Sequence, residues 1–368
     1  MTLLLHQDPV VRPRERAETV RDDRRRSQSL LYRKVRRFYR RLQMAARAFF
    51  FMVVYLAWPI LKRVVHPDIV FLVYPGTEKD SRAYFPQWVA RFLRPMFPIG
   101  FIRYGRIWGL IGATQISAEK LDEQPQLIHD VLGAFHQEFP QVGAVALAGR
   151  LPSFVRKAGG SLPPPFVDGS AGTRYAMLNA ARELAKKLGK STSEVTIGVP
   201  GGAGYIGSQL VQDLAREFHL VVAIDPRYQD EDISHEAGNV LCSHDPHNLV
   251  VAQAVIILTA RGDDISDLVS HFRPGVLIAD DTHPPIHRPI RERLVAQGAD
   301  VWKASMADGA LRMFPRLPNF RRDDIPGCLV EALTVLFQGR EVLDNQKSFN
   351  EAAARSGFHA RLERHPED

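Results

Sequence analysis

The chain has 368 residues, 45% of them hydrophobic, 9% aromatic and 24% charged, proportions that exclude a collagenous, disordered or low-complexity chain and leave room for two globular units with an extension. Lys and Arg total 48 against 41 Asp and Glu, but residues 1–63 hold 16 of the basic and 5 of the acidic residues, so a surplus of 11 sits at one end and the rest carries −4. A mildly acidic body excludes nucleic acid as a partner, and with Cys242 and Cys328 the only cysteines a disulfide framework and a cysteine-based zinc site are excluded too.

Residues 1–66 form a basic head. Its run Arg33-Lys34-Val35-Arg36-Arg37-Phe38-Tyr39-Arg40-Arg41 leads into residues 48–61, 14 residues without a charge, closed by Lys62-Arg63. As a helix that segment spans roughly 21 Å, short of the hydrocarbon core of about 30 Å. Two readings fit it: a buried core helix, or a monotopic anchor held at an anionic leaflet by residues 33–63 through its cationic flanks and Tyr55 and Trp58. The second places the chain peripherally or monotopically on the cytoplasmic side of a membrane.

From residue 67 the pattern becomes that of an α/β unit ending at 165: a buried strand at Ile69–Tyr74, a second around Arg106–Leu110, helix from Ala118 to Phe139 and a strand from Val142 to Ala148. Pro163-Pro164-Pro165 marks a linker. Beyond it Asp168 or Ser170 can cap a helix whose apolar stripe is Leu178, Ala181, Ala185 and Leu188.

A nucleotide-binding unit is expected over 166–318. Glu194–Val199 reads as a strand, Pro200-Gly201-Gly202-Ala203-Gly204-Tyr205-Ile206-Gly207 as a glycine-rich turn, Ser208–Phe218 as a helix and Leu220–Ile224 as a strand ending in Asp225, 21 residues after Gly204. This ordered context points to a dinucleotide fingerprint: Gly201, Gly202 and Gly204 for positive φ and close backbone approach to a pyrophosphate, Gly207 for helix packing, and the helix start for its dipole. Asp225 suits the ribose 2′-OH of NADH, whereas Arg227 suits the 2′-phosphate of NADPH, so both cofactors stay open. Apolar runs at 254–258, 276–280 and 300–302 continue a doubly wound parallel sheet of Rossmann type, whose carboxyl ends place Thr259-Ala260 and Asp280-Asp281-Thr282-His283 near a nicotinamide. His283 reads equally as a solvated loop histidine and as a proton donor. Cys242, beside the strand at Val240-Leu241, reads as core.

A C-terminal helical segment, 319–368, opens with Asp323 or Asp324 as cap and Pro326 in the first turn. Cys328 then lies where the helix dipole, with Arg321 and Arg322, lowers a thiol pKa against the opposition of the two acids. A lone cysteine is also commonly a small buried hydrophobe. Arg312, Arg316, Arg321 and Arg322 read either as a docking patch for an acidic carrier protein or as a solvated face.

In order and spacing, WGLIGAT at 108–114, VALAG at 145–149, FVDGSAGTRYAM at 166–177, GVPGGAGYIGS at 198–208, CLVEALTVLFQG at 328–339 and EAAARSGF at 351–358 resemble the long-chain fatty acyl-[acyl carrier protein] reductases of the aldehyde-forming, cyanobacterial type. The nucleotide unit is similar to those of shikimate dehydrogenase and glutamyl-tRNA reductase. The resemblance implies that Cys328 attacks a long-chain acyl thioester, on acyl carrier protein or coenzyme A, and that hydride from NADPH releases a fatty aldehyde. The rival expectations are an NAD(P)-dependent dehydrogenase of a hydroxyl or carbonyl substrate, and a membrane-tethered NAD(P)-binding protein without catalysis.

Overall fold

The computed structural model describes residues 35, 39, 42, 46, 49, 50, 52–84, 95–139, 141–229, 232, 233, 238–308, 310–314 and 323–364. Contacts divide the chain into two units, residues 1–53 and 54–368. In the first, the described residues are helical, with Val35, Tyr39, Leu42 and Phe49 exposed. Most of the run Arg33–Arg41, and Arg316, Arg321 and Arg322, lie outside the described residues.

The second unit starts with a helix over residues 54–61. One side of it is core: Val54 and Trp58 are buried, Trp58 Nε1 donates to Glu138 at 3.2 Å, and Lys62 Nζ reaches the same carboxylate at 2.9 Å. Its other side, with Leu56 and Ile60, is exposed. Among the described residues no helix is long and apolar enough to cross a membrane.

Two sheets follow. The first begins with β1 (Ile69–Val73), β2 (Met96–Tyr104), β3 (Ile107–Thr114), β4 (Ala144–Leu147) and β5 (Phe166–Val167). β1 lies between β3 and β4, parallel to both, and its unbroken apolar run is what a parallel strand covered on both faces requires. Helices Ala118–Glu123, Leu127–Glu138 and Leu151–Lys157 contribute Leu121, Phe135 and Phe154 to the core beside it.

The second sheet holds β6 (Thr196–Pro200), β7 (Leu220–Ile224), β8 (Asp232–Ile233), β9 (Val240–Ser243), β10 (Ala254–Ile257), β11 (Leu277–Asp280) and β12 (Asp300–Ala307). Its parallel strands run in the order β9-β7-β6-β10-β11-β12. In chain sequence this is 3-2-1-4-5-6, the doubly wound Rossmann order.

The strand pairings do not follow the linear domain boundaries drawn on the sequence. Phe166–Val167, placed there in the nucleotide unit, pair with β4 in the first sheet. The strand β13 (Leu311–Phe314), after the six parallel strands of the Rossmann sheet, returns to pair antiparallel with β2. The C-terminal segment contains strands as well as helices: β14 (Asp324–Ile325) and β15 (His359–Arg364) both pair with β12. Between them stand helices Gly327–Gln338 and Gln346–Arg355, packed on the long helix Ser170–Lys187.

Candidate functional site

The glycine-rich turn follows β6, and the helix it opens is in contact with the segment that follows β5 of the first sheet. Gly201 takes φ +86° after β6, and a Cβ there would stand 2.6 Å from the Leu258 carbonyl oxygen at the end of β10. This is the switch point, where the neighbouring strands β6 and β10 send their chains to opposite faces. A Cβ at Gly207 would lie 2.2 Å from the Gly201 carbonyl oxygen, so the helix Tyr205–Ala215 starts against the turn. The expectation of positive φ at Gly202 and Gly204 is corrected. Gly204 is extended at φ −65°, and Gly202 is needed because a Cβ would come within 2.7 Å of the Ala223 Cβ. The first N–H groups of a helix have no acceptor within it; here they belong to Tyr205, Ile206 and Gly207, next to Ala203.

Asp225 is buried, and its carboxylate is already engaged: Arg227 Nε and Nη2 donate at 2.8 and 2.7 Å, the Arg227 N–H at 3.1 Å and the Ala203 N–H at 3.2 Å. Despite burial, these donors hold its carboxyl below the usual carboxylate range. Arg227 remains largely exposed, its guanidinium 3.7 Å from where a Gly204 side chain would begin. Thr259 Oγ1 donates to the Arg261 carbonyl at 2.8 Å, half-buried beside the turn, and Ala260 is exposed.

From the first sheet, Asp168 at the end of β5 reaches the turn. It accepts from Tyr205 Oη at 2.9 Å and from Ser170 N and Oγ, and the Arg156 guanidinium lies 3.6 Å above the centre of the Tyr205 ring. Read on the sequence only as a cap, Asp168 joins the two sheets at the mouth of the nucleotide loop.

Cys328 lies on the second residue of the helix Gly327–Gln338, against the start of Ser170–Lys187: a Cβ on Gly169 would be 2.7 Å from the Cys328 Cβ. Neither Asp323 nor Asp324 caps that helix; Pro326 does. Asp324 is fully buried in β14, accepting from Lys303 at 2.8 Å and Arg361 at 2.6 Å. The expected lowering of the thiol pKa is overturned as well. Burial pushes the Cys328 thiol up to about 12, and the carboxylates of Glu331 and Asp281 add to the rise. Both are within electrostatic reach, as is Tyr74 at the end of β1.

Glu331 is the residue the sequence reading passed over. It is buried one helical turn after Cys328, where it accepts the N–H groups of Gly169 at 3.1 Å and Gly172 at 2.9 Å, and burial raises its carboxyl to about 7. A single acid inside the apolar run CLVEALTVLF is the signal that marks it, since an unpaired carboxylate is costly to bury.

Just after β11, burial beside Asp280 brings the Asp281 carboxyl to about 7. Asp280 itself is structural, accepting from Thr282 N and Oγ1 and from Ile286 N. His283 is open to solvent yet ringed by protein that lowers its pKa, and its Nδ1 stands 2.9 Å from the Asp281 carbonyl oxygen. Cys242, expected in the core, is half-buried and hydrogen-bonded to Tyr228. Of the four arginines read as a docking patch, Arg312 is described, with Nη1 donating to the Leu311 carbonyl at 2.7 Å.

Strand order and the turn at its switch point define a Rossmann-type α/β protein. No protein-family model and no curated protein matches the chain. Similar solved structures include the 3-hydroxyisobutyrate dehydrogenase of Mycobacterium tuberculosis with L-serine, at 21% identity over 32% of this chain and 42% of that one, TM-score 0.27. Another is the NAD-dependent formate dehydrogenase of Staphylococcus aureus in complex with NAD, at 15% identity over 47% and 58%, TM-score 0.28. A third is the chorismate mutase/shikimate 5-dehydrogenase fusion of Clostridium acetobutylicum, at 12% identity over 79% and 97%, TM-score 0.34. The chain spans less than two thirds of the length of the first two. At these scores the fold assignment rests on the strand order and the turn.

Proposed function

We propose that the protein is an NAD(P)H-dependent oxidoreductase that reduces a long-chain acyl thioester to the aldehyde through Cys328. The observation that carries this reading is the position of Cys328, within reach of Tyr74 from the first sheet and Asp281 from the second, where strand carboxyl ends place ligands. The turn fits a dinucleotide by its close-approach glycines and the N–H groups that open its helix, and Arg227, largely exposed while it pairs with Asp225, would meet the 2′-phosphate of NADPH. A nicotinamide bound there supplies hydride to an acyl carbon.

The chain's own residues do the rest. A thiol near 12 keeps its proton at neutral pH, so the proton must pass to a base as the sulfur attacks, and Glu331, near 7 and one turn away, is the acceptor we assign to that concerted step. The Cys328 sulfur then bonds the acyl carbon, and the carrier leaves as a thiolate that takes up the proton. After reduction the carbon–sulfur bond breaks, aldehyde departs and the Cys328 thiolate takes up from solvent the one proton that the net reduction consumes. Exclusion of water around the buried sulfur protects the acyl-enzyme from hydrolysis.

The test is intact-protein mass spectrometry of the chain and its Cys328→Ala variant after exposure to palmitoyl thioester without cofactor. An acyl adduct on the first alone, discharged as aldehyde by NADPH in preference to NADH, is the expected result. No adduct with any of a broad set of thioesters sinks the covalent route. The second reading, a dehydrogenase of a hydroxyl or carbonyl substrate, is favoured by Lys303, nearly buried on β12 and paired with Asp324 close to Asp281 and His283. It predicts turnover that survives Cys328→Ala.

A further inference from the structure

We propose that the helix preceding the first sheet is a fixed keel that seats the protein on an anionic lipid surface without crossing it. Leu56, Ile60 and Val64 are 68%, 72% and 75% exposed, and Arg63 beside them is exposed too. Large apolar side chains grouped at helical spacing on a surface mark an interaction site. On the opposite side Trp58 is 3% exposed, rests on Phe139 with ring centroids 5.2 Å apart, and is hydrogen-bonded to Glu138, which also holds Lys62. A helix so fastened cannot be surrounded by lipid, so only its outer ridge enters the bilayer.

The occupant follows from charge. The ridge continues the segment whose first 63 residues carry a surplus of 11 positive charges, with Arg33, Lys34, Arg36, Arg37, Arg40 and Arg41 clustered just before the uncharged run. A cationic sequence that precedes an exposed apolar ridge in the chain complements a leaflet of anionic phospholipid. The seat is independent of the reaction proposed above.

The experiment is co-sedimentation of the full chain with vesicles of phosphatidylcholine alone and of phosphatidylcholine with phosphatidylglycerol. Binding to the anionic vesicles, released by high salt, is expected, with a loss of roughly tenfold or more in the double variant L56E/I60E. Both substituted side chains are exposed, so the variant should keep the wild-type melting temperature; should it not fold, the salt dependence of the wild type remains a readout. Equal binding to both vesicle types, or none, overturns the proposal. So does a dimer that L56E/I60E dissociates and that ignores lipid, since the ridge would then seat a second copy.

Discussion

Cys328 and Glu331 are meaningful as a pair. The same burial that raises the thiol to about 12 raises the carboxyl to about 7, which leaves a carboxyl about half ionised at neutral pH next to a thiol that keeps its proton. If Glu331 accepts the thiol proton, the rate of acyl adduct formation rises with pH through about 7, and Glu331→Gln lowers it by about 100-fold and removes the midpoint. A midpoint unchanged in the variant would refute the role. The same shift bears on stability. Because the folded carboxyl titrates above its ordinary 4.5, the fold favours the protonated form, so this contribution is full below 4.5 and is lost as pH rises through about 7. The pair was half legible: the cysteine at a helix start stood out, whereas the partner acid belonged to an apolar run whose burial no spacing reveals.

At the scale of elements, the site depends on how closely Gly327–Gln338 approaches Ser170–Lys187. A Cβ on Gly172 would lie 2.0 Å from the Gly327 carbonyl oxygen, and one on Gly327 would lie 2.7 Å from the Thr173 Cα. Both contacts are with backbone and cannot yield without moving a helix. Gly172→Ala is therefore expected to cost about 3 kcal/mol and to displace Cys328, whereas Gly133→Ala, in the helix Leu127–Glu138 with open space around it, should stabilise by about 1 kcal/mol. Urea unfolding of the two variants checks this; equal effects would deny the close packing any role. The elements most legible in sequence were those with a strong period or a punctuated run, such as β1, β7 and Ser170–Lys187. The strand β2 was missed because Pro98 and Gly100 interrupt it, and it does shift register there.

At the scale of the molecule, the two sheets are interlocked. β13 closes the first sheet after the parallel strands of the second, and β14 and β15 then return to the second. Tyr104 of β2 packs against Phe337 and Phe358 from the C-terminal segment and hydrogen-bonds Asp308 beyond β12, while Tyr175 Oη donates to the Phe358 carbonyl at 2.7 Å. Neither sheet is complete without chain that lies beyond the other. Residues 54–368 should therefore unfold in one calorimetric transition whose van't Hoff and calorimetric enthalpies agree, and two separated transitions would show that the sheets are independent.

The sequence by itself determined the Rossmann fold and the place of its glycine-rich turn, because strand, turn, helix and strand are local patterns written in periodicity and in residues that alone permit a given backbone. It also marked the basic head and the helix start at Cys328. What only the tertiary structure decided are relations between distant segments: the engagement of Asp225 by Arg227, the meeting of Asp168 with Tyr205, the return of β13, and the docking of Trp58 on Glu138. Above all it reversed the state of the Cys328 thiol. Helix position is local and argues for a low pKa, but desolvation and the fields of Glu331 and Asp281 depend on which surfaces close over the sulfur, and they prevail.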